Sequence, residues 1–162
     1  TTALSSFIST PPTSSTPWIT MIVDANILLY AIDLSSPFHQ RAARWLEDAV
    51  NSPRRVGLPW QTIGAFLRIS THPRLNASPL SIEQAWSFVE DWLAQETVWI
   101  PPATQHTALV LRQLLSETHV AANLVPDAQL AALAIEHGVP VVSNDSDFAR
   151  FTGCVWINPL TA

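Results

Sequence analysis

Short apolar segments alternate with amphipathic segments along most of this chain, and this alternation constrains the fold more than any other feature. Apolar runs typical of buried strands occur at residues 21–23, 55–58, 97–100, 139–143 and 154–157. Apolar residues at helical spacing predict helices at 27–32, 38–50, 60–71, 81–94, 104–117 and 126–137, with a last helical turn at 147–151. Strands that alternate with helices predict an α/β fold, a doubly wound parallel sheet with helices on both faces.

The first 20 residues do not share this pattern. They are rich in Ser, Thr and Pro, and they lack the basic region and the unbroken apolar core of a signal peptide. We therefore predict that residues 1–20 are a disordered leader or an upstream extension, and that residues 21–162 form one domain. Only Cys154 is available as a thiol, which excludes an internal disulfide and fits a reducing compartment. No apolar stretch reaches the roughly 20 residues that a membrane helix needs, so a cytoplasmic protein is expected.

The basic residues exclude several functions. All eight are Arg, and the sequence contains no Lys. A P-loop requires a Lys on the phosphates and a pyridoxal enzyme requires one for its Schiff base, so neither is expected. None of the four glycines lies in dinucleotide-binding spacing. The formal net charge of −5 argues against a protein that coats nucleic acid, but it permits a local Arg patch beside an acidic metal site.

Three carboxylates stand where a parallel sheet builds its sites. Asp24 ends the first predicted strand, Asp145 follows the strand at 139–143, and Asp127 lies in the first turn of the helix before it. Each taken alone is an ordinary turn or capping residue. If the two strands are neighbours, the three can converge, and a hard cation such as Mg²⁺ or Mn²⁺ would relieve their repulsion. Metal-activated water attacking a phosphodiester is the chemistry such a site supports.

Three segments resemble the signature segments of PIN-domain nucleases, and most closely those of VapC-type toxins from bacterial toxin–antitoxin pairs. They are "IVDANILLYA", "LVPDAQLAALAIEHG" and "VVSNDSDFARF", which follow one another in the order and spacing of that family. The resemblance covers residues 21–160. It implies a five-stranded parallel sheet of order 3-2-1-4-5, Mg²⁺-dependent endoribonuclease activity on RNA, and a cognate antitoxin.

The same resemblance assigns the site residues one by one. Asp24, Asp127 and Asp145 match the metal-binding, catalytic acids of the family. Ser143 matches a small hydroxyl residue two places before the third acid. Asp147 matches a more variable second Asp of that motif, and Asn26 matches a polar position near the first acid.

One position departs from the family pattern. Ala65 stands where many members carry a Glu in the helix after the second strand. Gln61 and Arg68 lie one turn away on either side, on the same helix face. A site with one metal ion, or a substrate-assisted site, is therefore favoured over a full two-metal site.

Surface residues give weaker signals about partners. Arg68 and Arg74 lie close to the third helix and are candidates for contacts with RNA phosphates. Trp45, Trp86, Trp92 and Trp99 are predicted to lie in the core. The helix at 81–94 carries a wide apolar stripe, which predicts a face shared with another chain, consistent with a homodimer. Surplus apolar residues on the helices at 38–50 and 60–71 predict a groove for an amphipathic segment of the antitoxin.

Two rival functions remain. The first is a phosphoacceptor domain, such as a receiver or a haloacid-dehalogenase-like phosphatase, which also places Asp residues at strand ends. Both of these typically need a Lys, and there is none. The second rival is a PIN-like fold with weakened catalysis that acts mainly by binding its antitoxin or RNA. Ala65 is the feature that favours this second alternative.

Overall fold

A five-stranded parallel sheet forms the centre of the computed structural model, which describes residues 20–119 and 121–161. Its strands are β1 Thr20–Val23, β2 Arg55–Gly57, β3 Val98–Trp99, β4 Val141–Val142 and β5 Trp156–Ile157. They are arranged in the order β3-β2-β1-β4-β5, and every pairing is parallel. The predicted fold class and strand order are confirmed. The predicted leader at 1–20 lies outside the described residues except for Thr20, which opens β1.

In the described part of the chain, six α-helices connect and cover the strands. They are α1 Ala25–Ile32, α2 His39–Val50, α3 Trp60–Ser70, α4 Ile82–Leu93, α5 Gln105–Thr118 and α6 Val125–His137. Short 3₁₀ helices lie at Ala122–Leu124 and Ser146–Arg150. Within 20–119 and 121–161, no helix is long and apolar enough to cross a membrane.

The two faces of the sheet bury separate apolar cores. Successive side chains of a strand point to opposite faces, so β1 contributes to both. Met21 and Val23 pack into the core formed with α1 to α4, whereas Ile22 packs into the core formed with α5 and α6. Burial on both faces explains why the strands read as continuous apolar runs rather than as an alternating pattern.

Several predicted boundaries are wrong by a few residues. A helix cap explains the difference at α1, and the extent of strand pairing explains those at β4 and β5. Helix α1 begins at Ala25 rather than at residue 27, because the Asp24 carboxylate accepts from the Ala25 N–H and caps the helix at once. Strands β4 and β5 are shorter than predicted. Only two residue pairs, Val141 with Trp156 and Val142 with Ile157, join them.

Helix ends are where the sequence signals were most accurate. Ser81 and Gln84 form the predicted capping box at the start of α4. Gly138 ends α6 with a left-handed φ of 66°, a conformation that glycine adopts without steric cost.

The predicted core position of Trp86 is wrong. Ala85 and Val89 are the buried residues of α4, while Trp86 is 38% exposed and Ile82 is 54% exposed. Trp86 instead donates through Nε1 to the Glu90 carboxylate one turn later. The apolar pattern of α4 is wide enough for two faces, and only one of them packs against the domain.

Candidate active site

The site lies at the carboxyl ends of β1 and β4, which are neighbours in the sheet. Ile22 pairs with Val141 and Val23 with Val142, and the Asp24 N–H then donates to the Val142 carbonyl at 2.9 Å. The polar residues that follow each strand therefore meet at one edge. This adjacency was the assumption on which the convergence of the carboxylates depended.

Ser143 is the residue that joins the two strand ends. Its hydroxyl donates to Asp24 Oδ2 at 2.7 Å and accepts from the Asn26 side chain and from the Asp145 N–H, both at 3.0 Å. One donor and two acceptor sites are all that a hydroxyl has, and all are used. Ser143 is fully buried, so the predicted small hydroxyl residue sets the positions of both acids.

Asn26 completes this network. Its amide nitrogen donates to Asp24 Oδ2 at 3.2 Å, and its Oδ1 accepts from the Asn144 N–H at 3.2 Å. Asn158, beyond β5, donates to the Asn144 side chain at 3.0 Å. Asn26 thus joins the residues after β1 to the loop after β4, and Asn144 joins that loop to Asn158 after β5.

Three carboxylates come within 4.8 Å of one another, measured between one oxygen on each: Asp127, Asp145 and Asp147. Asp127 is in the first turn of α6, where the helix dipole favours a negative charge. Asp145 caps the 3₁₀ helix at Ser146–Arg150 by accepting from the Asp147 N–H at 2.9 Å. Asp147 contacts Arg150 at 3.3 Å. Asp147 is only a secondary candidate from its sequence position, yet its carboxylate belongs to this close group.

The electrostatics of the cleft reflect crowding of like charges. Burial, followed by the charges of Asp24, Asp145 and Asp147, raises the pKa of Asp127 to about 7. Burial also raises the pKa of Asp24, and Asp145 adds to this, while hydrogen bonds from Ser143 and Ala25 oppose it. Asp24 and Asp127 are therefore coupled electrostatically, although Asp24 is outside the close group of three.

This donor set fits a hard divalent cation. Mg²⁺ and Mn²⁺ prefer carboxylate oxygens and water, and three carboxylates offering one oxygen each leave coordination positions for water or substrate. A bound cation would also remove the repulsion that raises the pKa of Asp127. Asp24 can add one more contact, because a carboxylate has about four acceptor sites and three of them are occupied by Ala25, Asn26 and Ser143.

A cleft of about 300 Å³ opens beside these acids. Its walls include Asp24 and Asp127 on one side and three residues of α3 on the other: Gln61, Ala65 and Arg68. Thr62 anchors this helix by donating from Oγ1 to the Val23 carbonyl at 2.7 Å. Ala65 therefore faces the site, as expected of the position where a Glu is usual.

The two candidate RNA-binding arginines are placed differently. Arg68 lines the cleft, whereas Arg74 is exposed in the loop after α3 and is not among the cleft residues. The sequence reasoning missed Asn123, which lines the cleft from the 3₁₀ helix before α6, and Asn158. No local signal marks either residue, because their positions depend on how distant loops pack.

The chain matches a known family over most of its length. The model of the PIN domain matches residues 21–153. Ribonuclease VapC37 from Mycobacterium tuberculosis is 45% identical over 139 residues, which cover 85% of this chain and 96% of that protein.

Solved structures show the same fold at lower identity. The VapBC2 complex from Rickettsia felis, bound to a DNA fragment from its promoter, contains a chain that superposes with a TM-score of 0.63 at 17% identity. The match covers 86% of this chain and 98% of that one. VapBC-5 from Mycobacterium tuberculosis, from the VapBC family of toxin–antitoxin systems, gives a TM-score of 0.55 at 21% identity and covers 86% and 98%.

Proposed function

Because the chain belongs to the PIN domain family, we propose that it is a divalent-metal-dependent endoribonuclease and the toxin of a toxin–antitoxin pair. The observation that carries this proposal is the close group of Asp127, Asp145 and Asp147 beside Asp24, at the carboxyl edge of the sheet. The VapC name of the 45% identical relative supports ribonuclease activity. The net charge of −5 leaves the cleft itself, rather than the whole surface, as the place where RNA binds.

The position of each acid determines the role that we assign to it. Asp127, Asp145 and Asp147 bind the cation, Mg²⁺ or Mn²⁺, and Asp24 adds its remaining acceptor site to the cation or to a water beside it. The bound cation supplies Lewis acidity for attack of water on the phosphodiester and offsets charge on the leaving oxygen. Ser143 and Asn26 keep the Asp24 carboxylate in one orientation, so it does not have to reorganise during the reaction.

The other wall of the cleft supplies positive charge without a second cation. Ala65 offers no ligand on this wall, so the carboxylates of the site all lie on the other side, where the close group of three suits one cation. Arg68 lies on the same wall, where its guanidinium can contact a phosphate oxygen of the bound RNA. We therefore assign one cation to the site.

Metal dependence tests this proposal in the wild type. The protein freed of metal with EDTA should not cleave single-stranded RNA, and added Mg²⁺ or Mn²⁺ should restore cleavage. Cleavage that persists undiminished in EDTA would contradict the assignment. A preparation that binds RNA but cleaves none with any divalent ion would favour the second candidate function, a PIN fold that acts by binding, for which Ala65 is the specific observation.

An antitoxin is the partner that the surface fits. The predicted groove involved the helices at 38–50 and 60–71, whereas an open groove of about 460 Å³ lies between α2 and α4. Its apolar lining includes Leu46, Val50, Phe88 and Trp92. Such a groove suits an amphipathic helix from another chain. The VapBC complexes with the same fold support a partner of this kind. The exposed apolar residues of α4, Ile82 and Trp86, are the surface we assign to a homodimer.

A further inference from the structure

One exposed edge of α3 carries a tryptophan, a glycine and an arginine, and no contact among the described residues explains why these residue types stand there. Trp60, Gly64 and Arg68 are spaced four residues apart, so they lie along one ridge of the helix. All three are exposed. The ridge runs beside Gln61 and Ala65, which face the cleft, and it ends in Arg68, which lines the cleft itself.

Gly64 is the most informative of the three. A glycine inside a helix costs about 1 kcal/mol relative to alanine, and it is usually kept where a side chain would collide with something. Here a Cβ built on Gly64 meets no atom of the described chain within 4 Å. Nor does the position have the left-handed φ that Gly138 and Gly153 adopt. A ligand that approaches the helix backbone closely would account for a glycine at this position.

Trp60 stands at the first turn of the same helix. Its side chain is 59% exposed, and within 20–119 and 121–161 it joins none of the close aromatic pairs. Trp86 is also exposed, but it uses its indole N–H within its own helix. An open indole face beside an acidic, cation-binding cleft is a surface on which a nucleobase can stack.

Arg68 connects this ridge to the cleft. The single ion pair within the described ranges joins Arg150 and Asp147, so the Arg68 guanidinium is in no ion pair there, although it shares a cleft with Asp24 and Asp127. A guanidinium near several carboxylates, yet not engaged by them, is available to a phosphate oxygen.

We propose that Trp60, Gly64 and Arg68 form a track for single-stranded RNA that leads into the cleft. Trp60 stacks on a base, Gly64 lets the sugar–phosphate backbone pass close to the helix, and Arg68 binds a phosphate next to the scissile one. This inference rests on the proposed ribonuclease function and specifies how its substrate is held. A protein partner on the same ridge is less well matched, because an apolar interface gains nothing from a bare backbone followed by a cation.

Binding of two fluorescent probes tests the track separately from cleavage. One probe is a 12-nucleotide oligouridylate, and the other is the same ribose–phosphate chain with every base removed. Binding is measured in an Asp127→Asn background with Mg²⁺ present, so that cleavage is not required and one repelling charge is gone. If this background cleaves RNA, the proposed function fails. If the track variants bind like their parent, this inference alone fails.

Trp60 and Arg68 should act on different parts of the RNA. Trp60→Ala should weaken binding of the oligouridylate by about fivefold to a hundredfold, the range for loss of one stacked base, and leave the abasic probe unaffected. Trp60→Phe should retain most of the affinity. Arg68→Ala should weaken both probes alike and reduce the slope of log affinity against log salt by about 0.7. Trp86→Ala, which removes an exposed indole elsewhere, should change neither probe.

Gly64→Ala should have two effects of opposite sign. It should raise the midpoint of thermal unfolding by about 2–4 °C, since alanine favours the helix. It should also weaken both probes, since the methyl group blocks the close approach. Ser87→Ala, at an exposed position inside α4, is the matched control, and it should leave RNA binding unchanged.

Two results would overturn the proposal. One is a Trp60→Ala variant that binds both probes like its parent, or loses both equally. The other is a change in oligomeric state, measured by light scattering, in Trp60→Ala or Gly64→Ala without a change in RNA affinity. That second result would assign the ridge to a protein interface.

Discussion

The hydroxyl of Ser143 donates a 2.7 Å hydrogen bond to the carboxylate of Asp24, across 119 positions of sequence. The same hydroxyl accepts the Asp145 N–H at 3.0 Å. One buried side chain therefore sets the distance between the acid after β1 and the acid after β4. The geometry of the whole cleft depends on this contact, which makes Ser143 a positioning residue rather than a catalytic one.

Removing this hydroxyl should loosen the site without unfolding the protein. Ser143→Ala should weaken Mn²⁺ binding by about tenfold or more, because partners that orient metal-binding acids typically contribute that much. It should lower the free energy of unfolding by about 1–3 kcal/mol, because it leaves buried hydrogen-bond partners of this hydroxyl unsatisfied. Calorimetry and urea unfolding measure the two effects. Ser146→Ala, at an exposed position nearby, should show neither, and equal Mn²⁺ affinity in all three proteins would refute the positioning role.

The stability of the metal-free protein should fall as the pH rises. The folded-state pKa of Asp127 is raised from 3.8 to about 7, so between these values the folded protein holds a proton that the unfolded chain has lost. Stability follows the difference in bound protons between unfolded and folded states, and this difference is negative here. The contribution of Asp127 therefore decreases from about pH 4 to pH 7 and is constant above that.

Urea unfolding in EDTA at several pH values measures this effect. Asp127→Asn should abolish this part of the slope, and Asp48→Asn, at an exposed position on α2, should not. Saturating Mg²⁺ should stabilise the wild type more at pH 7.5 than at pH 5, since the cation binds the ionised form. An identical pH profile for wild type and Asp127→Asn would mean that burial and the charges in the cleft do not raise the pKa of Asp127.

Restoring the usual carboxylate should strengthen metal binding. Ala65→Glu projects an acid from α3 into the cleft, opposite Asp24 and Asp127. We expect about tenfold tighter Mn²⁺ binding, because an added opposite charge a few ångströms from the cation contributes on the order of kilocalories. Calorimetry reports affinity and stoichiometry. Ala108→Glu, at an exposed position on α5, is the control for added charge, and equal affinity in the two variants would contradict the role assigned to Ala65.

A charge placed in the groove between α2 and α4 should separate partner binding from catalysis. Ala43 is half-buried and lines this groove. Ala43→Glu should reduce binding of the proposed antitoxin partner, because that partner would have to bury an unpaired carboxylate. RNA cleavage should be unchanged. Copurification of the coexpressed pair measures the effect, with Ala108→Glu as the control, and wild-type copurification of Ala43→Glu would rule out the groove.

Local sequence signals predicted the fold better than they predicted the site. Local interactions determine the apolar runs, the capping box at Ser81 and the helix end at Gly138, because each depends only on residues close to it in sequence. The structure agrees with the predictions made from them. Strand lengths were overestimated at β4 and β5 because pairing depends on a neighbouring strand. Trp86 was misplaced because periodicity shows that a helix has an apolar face, but not which of two faces the domain covers.

Local sequence also predicted only part of the site. Asp24, Asp127 and Asp145 could be singled out because each follows a strand or opens a helix. Asp147 belongs to the close group with Asp127 and Asp145. Its N–H donates to the Asp145 carboxylate, which caps the 3₁₀ helix, but the approach of its carboxylate to Asp127 has no signal in the local sequence. The contact between Asn158 and the Asn144 side chain depends on β5 lying beside β4. Contacts of this kind are fixed by tertiary packing and have no local sequence signal.

The rate of RNA cleavage by Asp127→Asn, compared with wild type in saturating Mg²⁺, tests the central claim most directly. Asp127 belongs to the close group of carboxylates, and burial together with the neighbouring acids raises its pKa to about 7. Asparagine preserves its size while removing its charge. Asp91→Asn, at an exposed position on α4, is the matched control. We expect Asp127→Asn to lose about a hundredfold or more in rate, at least about 2.7 kcal/mol of transition-state stabilisation, although in EDTA it should be at least as stable as the wild type. Asp91→Asn should lose no activity. Cleavage by Asp127→Asn at the wild-type rate would contradict the central claim.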